Sequence, residues 1–156
     1  MSEHNKFMAR AIELSINNVN GGGGPFGAVI VKDGEIVGEG FNQVSTSNDP
    51  TAHAEVTAIR NAARKLNRFD LSGCTIYTSC EPCPMCLGAI YWARIEKMYY
   101  GNTKKDADSI GFNDDFIYQE IDKPMSKRQL SAIQLMRDDA LTAFRLWDGK
   151  NDKTEY

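Results

Sequence analysis

An α/β fold of three layers, α/β/α around a central mixed sheet of about five strands, follows from two features of this sequence. A hairpin signal opens the strand pattern, and strands then alternate with helical segments as far as Gly101. That order places helices on both faces of one sheet. The 156 residues suit a single domain, 1–156, around one core. No internal repeat or linker composition divides it.

Each element has its own signal. Residues 3 to about 19 predict a helix, with Met8, Ile12, Ile16 and Val19 on one stripe at helical spacing. The run Gly21-Gly22-Gly23-Gly24-Pro25 ends it. Residues 26–31 read as an apolar strand, Asp33-Gly34 as a two-residue hairpin turn, and 35 to about 43 as the return strand. Asp49-Pro50-Thr51 punctuates before a second helix, roughly 52–67, carrying Val56, Ile59, Ala63 and Leu66. Residues 74–79 predict a third strand running into a cysteine–proline segment, which opens a short helix through Ala93, and 97–101 a fourth strand. Beyond Gly101 the pattern weakens to short helices over 106–110 and 116–121, a strand over 131–135 and a terminal helix over 140–147.

Composition narrows function. With 42% hydrophobic and 25% charged residues the chain is ordinary for a globular protein, and no apolar run approaches the roughly 18 residues of a membrane span. The opening Met1-Ser2-Glu3-His4-Asn5-Lys6 lacks the apolar core of a signal peptide. A reducing cytoplasm is therefore expected, where the four cysteines read as metal ligands or buried thiols before disulfides. Net charge is −3 with no basic cluster, against the positive footprint that polynucleotide binding needs. A small uncharged substrate fits better, and no nucleic acid or membrane partner is expected.

His53-Ala54-Glu55, followed by Pro82-Cys83-Pro84-Met85-Cys86, carries the chemistry. It offers one imidazole, two thiolates and a carboxylate that is not needed as a ligand. Three protein ligands leave a fourth tetrahedral position open, as in catalytic rather than structural zinc sites. The pattern is that of zinc-dependent nucleobase deaminases. Pro84 suits the first position of a helix, which places Cys83 at the N-cap and Cys86 on the same side of the first turn. Both thiols then face the positive end of the helix dipole, which favours thiolate. His53 and Glu55 stand about 200° apart around a regular helix, and share a site only where a helix N-terminus lets both reach over its end. Two helix N-termini must therefore converge at the carboxyl ends of neighbouring strands. There a zinc-bound hydroxide is the expected nucleophile, with Glu55 shuttling a proton from water to a ring nitrogen and then to the departing amine.

Other readings compete. Cys80-Glu81-Pro82-Cys83 is itself a C-x-x-C, so a redox dithiol and a closed structural zinc site through Cys80, Cys83, Cys86 and His53 both stand as alternatives. A redox pair has no use for His53 and Glu55. Cys80 is expected outside the metal shell as a buried or pocket-lining thiol, and Cys74 in the core. The glycine run 21–24 feeds a strand and lacks a following Gly-Lys-Ser/Thr, so it reads as a connection, not a phosphate loop. Tyr91, Trp92, Tyr99 and Tyr100 read as core and interface residues, and His4 as solvated. A zinc-stabilised binding module without turnover is the non-enzymatic alternative.

From the first helix to about residue 120 the chain resembles the cytidine-deaminase-like superfamily. Within it, the segments 49–56, 79–94 and 111–118 and the ending Thr154-Glu155-Tyr156 are most similar to short bacterial guanine deaminases. The resemblance implies hydrolysis of guanine to xanthine and ammonia, with one Zn2+ per subunit held by His53, Cys83 and Cys86 and with Glu55 as proton shuttle. It implies that Asn42 hydrogen-bonds the purine base, that Asp114 reads its N–H edge, and that Phe26 packs against the ring. The backbone N–H groups of Ala54 and Cys83 are implied partners for an oxygen of substrate or intermediate, and Tyr156 is implied to close the pocket. A homodimer is also implied, domain-swapped through the C-terminal segment (about 122–156), which can carry Tyr156 to the neighbour's site. A tRNA adenosine deaminase or a cytosine deaminase would share motif and fold. The former needs a basic C-terminal surface, whereas basic and acidic residues nearly balance from Asp122 onward.

Overall fold

The computed structural model describes residues 2–156. In chain order its elements are helix α1 (Glu3–Asn20), strands β1 (Gly27–Lys32) and β2 (Glu35–Phe41), a single helical turn α2 (Val44–Ser47), helix α3 (Ala54–Leu66), strand β3 (Cys74–Cys80), helix α4 (Pro84–Trp92) and strand β4 (Lys97–Asn102). Helices α5 (Lys104–Ser109) and α6 (Asp114–Asp122), a 3-10 turn (Met125–Lys127) and helix α7 (Arg137–Asp148) follow. The chain divides into two compact units, one ending at Ile117 and one spanning Tyr118–Tyr156.

The strands of the first unit form one mixed sheet in the order β2-β1-β3-β4, four strands where about five were expected. β1 pairs antiparallel with β2 and β3, and β3 pairs parallel with β4. The carboxyl ends of β2, β3 and β4 therefore share one end of the sheet with the amino end of β1. Asp33 and Gly34 turn the hairpin at φ 51° and 77°, the doubly left-handed geometry that matches strand twist.

Helices cover both faces, as the strand–helix alternation requires. On one, Phe7 and Leu14 of α1 pack with Val29, Val31 and Tyr77. On the other, Ala54, Ala58 and Ala62 of α3 and Ile90 of α4 pack with Ala28, Ile30, Val37 and Ile76. Cys74 lies in this second core, as expected.

The sheet-facing stripes are not the ones that apolar spacing picks out. On α1 the buried residues are Phe7, Ala11, Leu14 and Ser15, while Ile12, Ile16 and Val19 are exposed. On α3 the buried face is Ala54, Glu55, Ala58 and Ala62, with Ile59, Ala63 and Leu66 only flanking it. Both helices press against glycines. A Cβ on Gly27 would lie 2.7 Å from Ser15 N, and one on Gly38 would lie 2.7 Å from Ala62 N. Such close approach admits small side chains at the contact and pushes the large ones to its rim. The aromatics differ too. Tyr91 and Trp92 are 72% and 66% exposed rather than core. His4 is not simply solvated, since its Nδ1 lies 2.7 Å from Tyr77 Oη and its ring stacks 4.6 Å from Tyr99.

In the second unit, buried Glu120 accepts from Lys123 Nζ (2.6 Å) and Gln129 N–H (2.7 Å), and the Arg128 guanidinium donates to the Glu120 carbonyl at 2.9 Å. The strand expected over 131–135 is not formed. Among the described residues it has no strand to pair with, and an unpaired strand does not persist in water. Leu130, Ile133, Leu135, Phe144 and Leu146 are exposed. No helix of the described residues is long and apolar enough to cross a membrane.

Candidate active site

Helix α3 starts at His53, which stands at the N-cap with φ −71° and ψ 157°, so Glu55 is the second helical residue. The approach is fixed by Asp49, whose Oδ1 accepts from Thr51 N–H (2.9 Å) and Thr51 Oγ1–H (2.7 Å), and by Gln43 N–H donating to the Ala52 carbonyl at 2.9 Å. Helix α4 starts as its sequence predicts. Cys83 is the N-cap, Pro84 opens the helix, and Cys86 N–H points at Cys83 Sγ at 3.5 Å. These two N-termini bring His53 Nδ1 to 3.5 Å from both Cys83 Sγ and Cys86 Sγ.

The three ligand atoms lie within 4.8 Å of one another. Tetrahedral ligands at zinc distances of about 2.0–2.3 Å stand roughly 3.3–3.8 Å apart, so this cup of one nitrogen and two sulfurs fits Zn2+ with one position left for substrate or water. Cys80 is buried but outside the cup, with its thiol 3.7 Å from the Thr103 carbonyl. That arrangement argues against both the four-ligand closed site and the Cys80–Cys83 redox pair.

The electrostatics suit a cation. The hydrogen bond from Cys86, with a further one from His53, holds the Cys83 thiol down to about 4. His53 is raised, chiefly by its hydrogen bond to Cys83, and Cys86 is pushed up, chiefly by sharing its proton with Cys83. Glu55, 5% exposed, is not part of the cup. Burial raises its carboxyl, opposed in part by a hydrogen bond from Thr78 Oγ1 at 3.0 Å.

A cavity of about 400 Å3 opens beside the cup, with Gly24, Phe26, Asn42, His53, Glu55, Phe112 and Asp114 on its wall. Asn42 is buried, and its Oδ1 accepts from Val44 N–H at 3.2 Å, so its Nδ2 remains to donate into the cavity. The Phe26 and Phe112 rings meet nearly at right angles (85°) with centroids 4.8 Å apart. Asp114 opens α6, and its carboxyl is raised by burial and by the charge of Cys83. Ala54, fully buried, is the first helical residue of α3, where N–H groups lack an intrahelical acceptor.

Of the residues singled out in the sequence, His53, Glu55, Cys83, Asn42, Asp114 and Phe26 thus share one cavity wall, and Cys86 stands beside them in the cup. Tyr156 ends the second unit, 74% exposed there. Sequence reasoning missed Thr78, Glu81 and Phe112. Glu81 lines the cavity while its Oε2 accepts from Lys104 N–H at 2.8 Å. Thr78 was findable by strand alternation from Ile76, which places a hydroxyl on the face that α3 covers.

Comparison with known proteins agrees with this geometry. Residues 1–102 match the family model described as the cytidine and deoxycytidylate deaminase zinc-binding region. The chain is 54% identical to the guanine deaminase of Bacillus subtilis (strain 168) over 154 residues, 98% of this chain and 99% of that one. It is 40% identical to the tRNA-specific adenosine deaminase of Haemophilus influenzae over 116 residues, 71% of this chain and 67% of that one. The X-ray structure of guanine deaminase from Bacillus subtilis superposes with a TM-score of 0.95, covering 100% of this chain and 99% of that chain at 54% identity.

Proposed function

Because the chain belongs to the cytidine and deoxycytidylate deaminase zinc-binding family, we propose that it is a zinc-dependent aminohydrolase converting guanine and water to xanthine and ammonia. The observation that carries the reaction type is the buried, non-ligand carboxylate of Glu55 on the cavity wall beside the His53–Cys83–Cys86 cup. The choice of guanine is supported by the likeness to the Bacillus subtilis guanine deaminase along nearly the whole of both chains.

His53 Nδ1, Cys83 Sγ and Cys86 Sγ would hold the zinc. Bound there, it supplies a Lewis acid that lowers the pKa of water from about 16 toward about 7. Glu55, on the cavity wall beside the cup and not a ligand itself, takes the proton that water gives up. It delivers that proton to the ring nitrogen beside the amine-bearing carbon, then takes the proton of the hydroxyl added to that carbon and passes it to the nitrogen that leaves as ammonia. A carbon–oxygen bond forms, a carbon–nitrogen bond breaks, and Glu55 ends as it began.

The remaining wall orients the ring. Asn42, with its oxygen engaged by Val44, offers an N–H to an acceptor on the purine. Asp114 accepts from the N–H edge. Phe26 supplies a flat apolar surface, with the Phe112 ring nearly perpendicular to it on the same wall. Ala54 N–H, at the positive end of α3, suits an oxygen of the substrate or of the intermediate.

The reading extends to assembly. A homodimer in which the C-terminal segment (about 122–156) packs on its partner would cover Leu130, Ile133, Leu135, Phe144 and Leu146, which a single chain leaves exposed. In that dimer Tyr156 would close a pocket. Free cysteines throughout the described residues suit a reducing cytoplasm.

Ammonia release from zinc-loaded protein, offered guanine, adenine, cytosine, cytidine and a tRNA anticodon stem-loop separately, tests the substrate. Release with guanine alone is expected. Release from the RNA would overturn the substrate and keep the chemistry.

A further inference from the structure

We propose that Asn18, on the last turn of α1 and outside the cavity, is a positioning residue that sets the Asn42 amide against the purine. The inference rests on the proposed function above. Asn18 Nδ2 donates to two carbonyls, that of Gly24 at 2.7 Å and that of Asn42 at 2.8 Å. Both residues line the cavity. Phe26, a third wall residue, is tied to the same pair: its N–H donates to the Gly24 carbonyl (2.9 Å), and its carbonyl accepts from Asn42 N–H (3.2 Å). One carboxamide therefore clamps the loop entering β1 to the end of β2, with Phe26 and Asn42 carried between them.

The chemistry demands a neutral amide of this length. Both acceptors are carbonyl oxygens, so a carboxylate at position 18 would repel them and an alkyl group would leave two half-buried carbonyls without this donor. Room for the clamp comes from Gly23. Its N–H donates to the Asn18 carbonyl at 2.8 Å, and a Cβ there would fall 2.5 Å from Asn18 Oδ1. Asn42 has little slack of its own, because its Oδ1 is already held by Val44 N–H. A shift of its backbone therefore moves the amide that meets the base.

Two variants test the clamp from opposite sides. Asn18→Leu removes the donors at similar volume, and Gly23→Ala displaces an intact Asn18. Steady-state guanine kinetics, zinc content and melting temperature are measured for each, and for each combined with Asn42→Ala. The expected result is a KM raised roughly tenfold, the size of one misaligned hydrogen bond, with kcat within about twofold and zinc content unchanged. In the Asn42→Ala background the same changes should add less than about twofold to KM, since Asn18 acts through that residue. An unchanged KM in a folded variant overturns the proposal, and so does a full KM effect persisting without the Asn42 amide. If Asn18→Leu does not fold, Gly23→Ala carries the same two outcomes. A wild-type enzyme that does not turn over guanine defeats the functional reading and this proposal together. Wild-type turnover with unmoved variants defeats this proposal alone.

Discussion

Thr78 Oγ1 lies 3.0 Å from Glu55 Oε1 and also 3.0 Å from the Cys80 carbonyl. Its single proton can serve either acceptor. When Glu55 is ionised the hydroxyl donates to it. When Glu55 holds a proton, the hydroxyl accepts and turns toward Cys80. A proton shuttle must pass through both states, and this partner matches each.

Thr78→Val should therefore lower kcat by roughly 10- to 150-fold, the worth of a hydrogen bond to a charged group, with zinc content unchanged. The direction in pH is also set. The Thr78 hydrogen bond lowers the Glu55 pKa, so its loss raises that pKa and moves the acid limb of the pH–rate profile upward. A limb that stays in place or moves down would count against the contact.

Glu55→Gln should lose about 10²- to 10⁴-fold in kcat, the usual worth of general acid–base catalysis, and keep its zinc. Metal analysis beside an ammonia assay separates this outcome from misfolding. Retained activity would show that Glu55 does not carry the proton.

Removing the metal should abolish turnover and lower the melting temperature, because the free energy of metal binding at the assembled cup is also folding free energy. Dialysis against a chelator, followed by zinc, should restore both. Cys83→Ala and Cys86→Ala should each lower zinc content, whereas Cys80→Ala should leave it unchanged, since Cys80 stands outside the cup.

Arg10 grips Glu39 with two hydrogen bonds, Nε to Oε1 and Nη2 to Oε2, each 2.8 Å, tying α1 to β2. The guanidinium holds the Glu39 carboxyl below its ordinary 4.5. A carboxyl depressed on folding stabilises fully above its unfolded pKa and stops doing so as pH falls through its folded one. Glu39→Gln should thus cost up to about 1 kcal/mol near pH 7, the range for a partly exposed pair. In urea melts the gap from wild type should close progressively below about pH 4.5 as Glu39 protonates.

Local signals in the sequence located most of this molecule. The hairpin at Asp33-Gly34, the Cys83-Pro84 helix start and the His53–Glu55 placement at a second helix start all stand as expected, because each depends on a few adjacent residues. What was not legible depends on neighbours distant in the chain. The buried faces of α1 and α3 are set by Gly27, Gly38 and Gly40 on the sheet, and hydrophobic spacing alone pointed to the larger residues beside them. Strand pairing for 131–135 requires a partner strand that spacing cannot supply. Asn18 was invisible for the same reason: its two acceptors lie on a loop and a strand end that only the folded chain brings to it.

β1 separates the two sources of the metal cup, for it runs between β2, which leads to His53, and β3, which leads to Cys83 and Cys86. A hairpin that closed without admitting β3 at its open side, or that paired in a slipped register, would carry the imidazole away from the thiolates. A bound ion would therefore inspect the assembly as well as serve it, since all three ligands meet only in chains whose strands have found their order. For a nascent polypeptide, which presents α3 before β3 exists, passing that inspection and becoming competent for chemistry are one event.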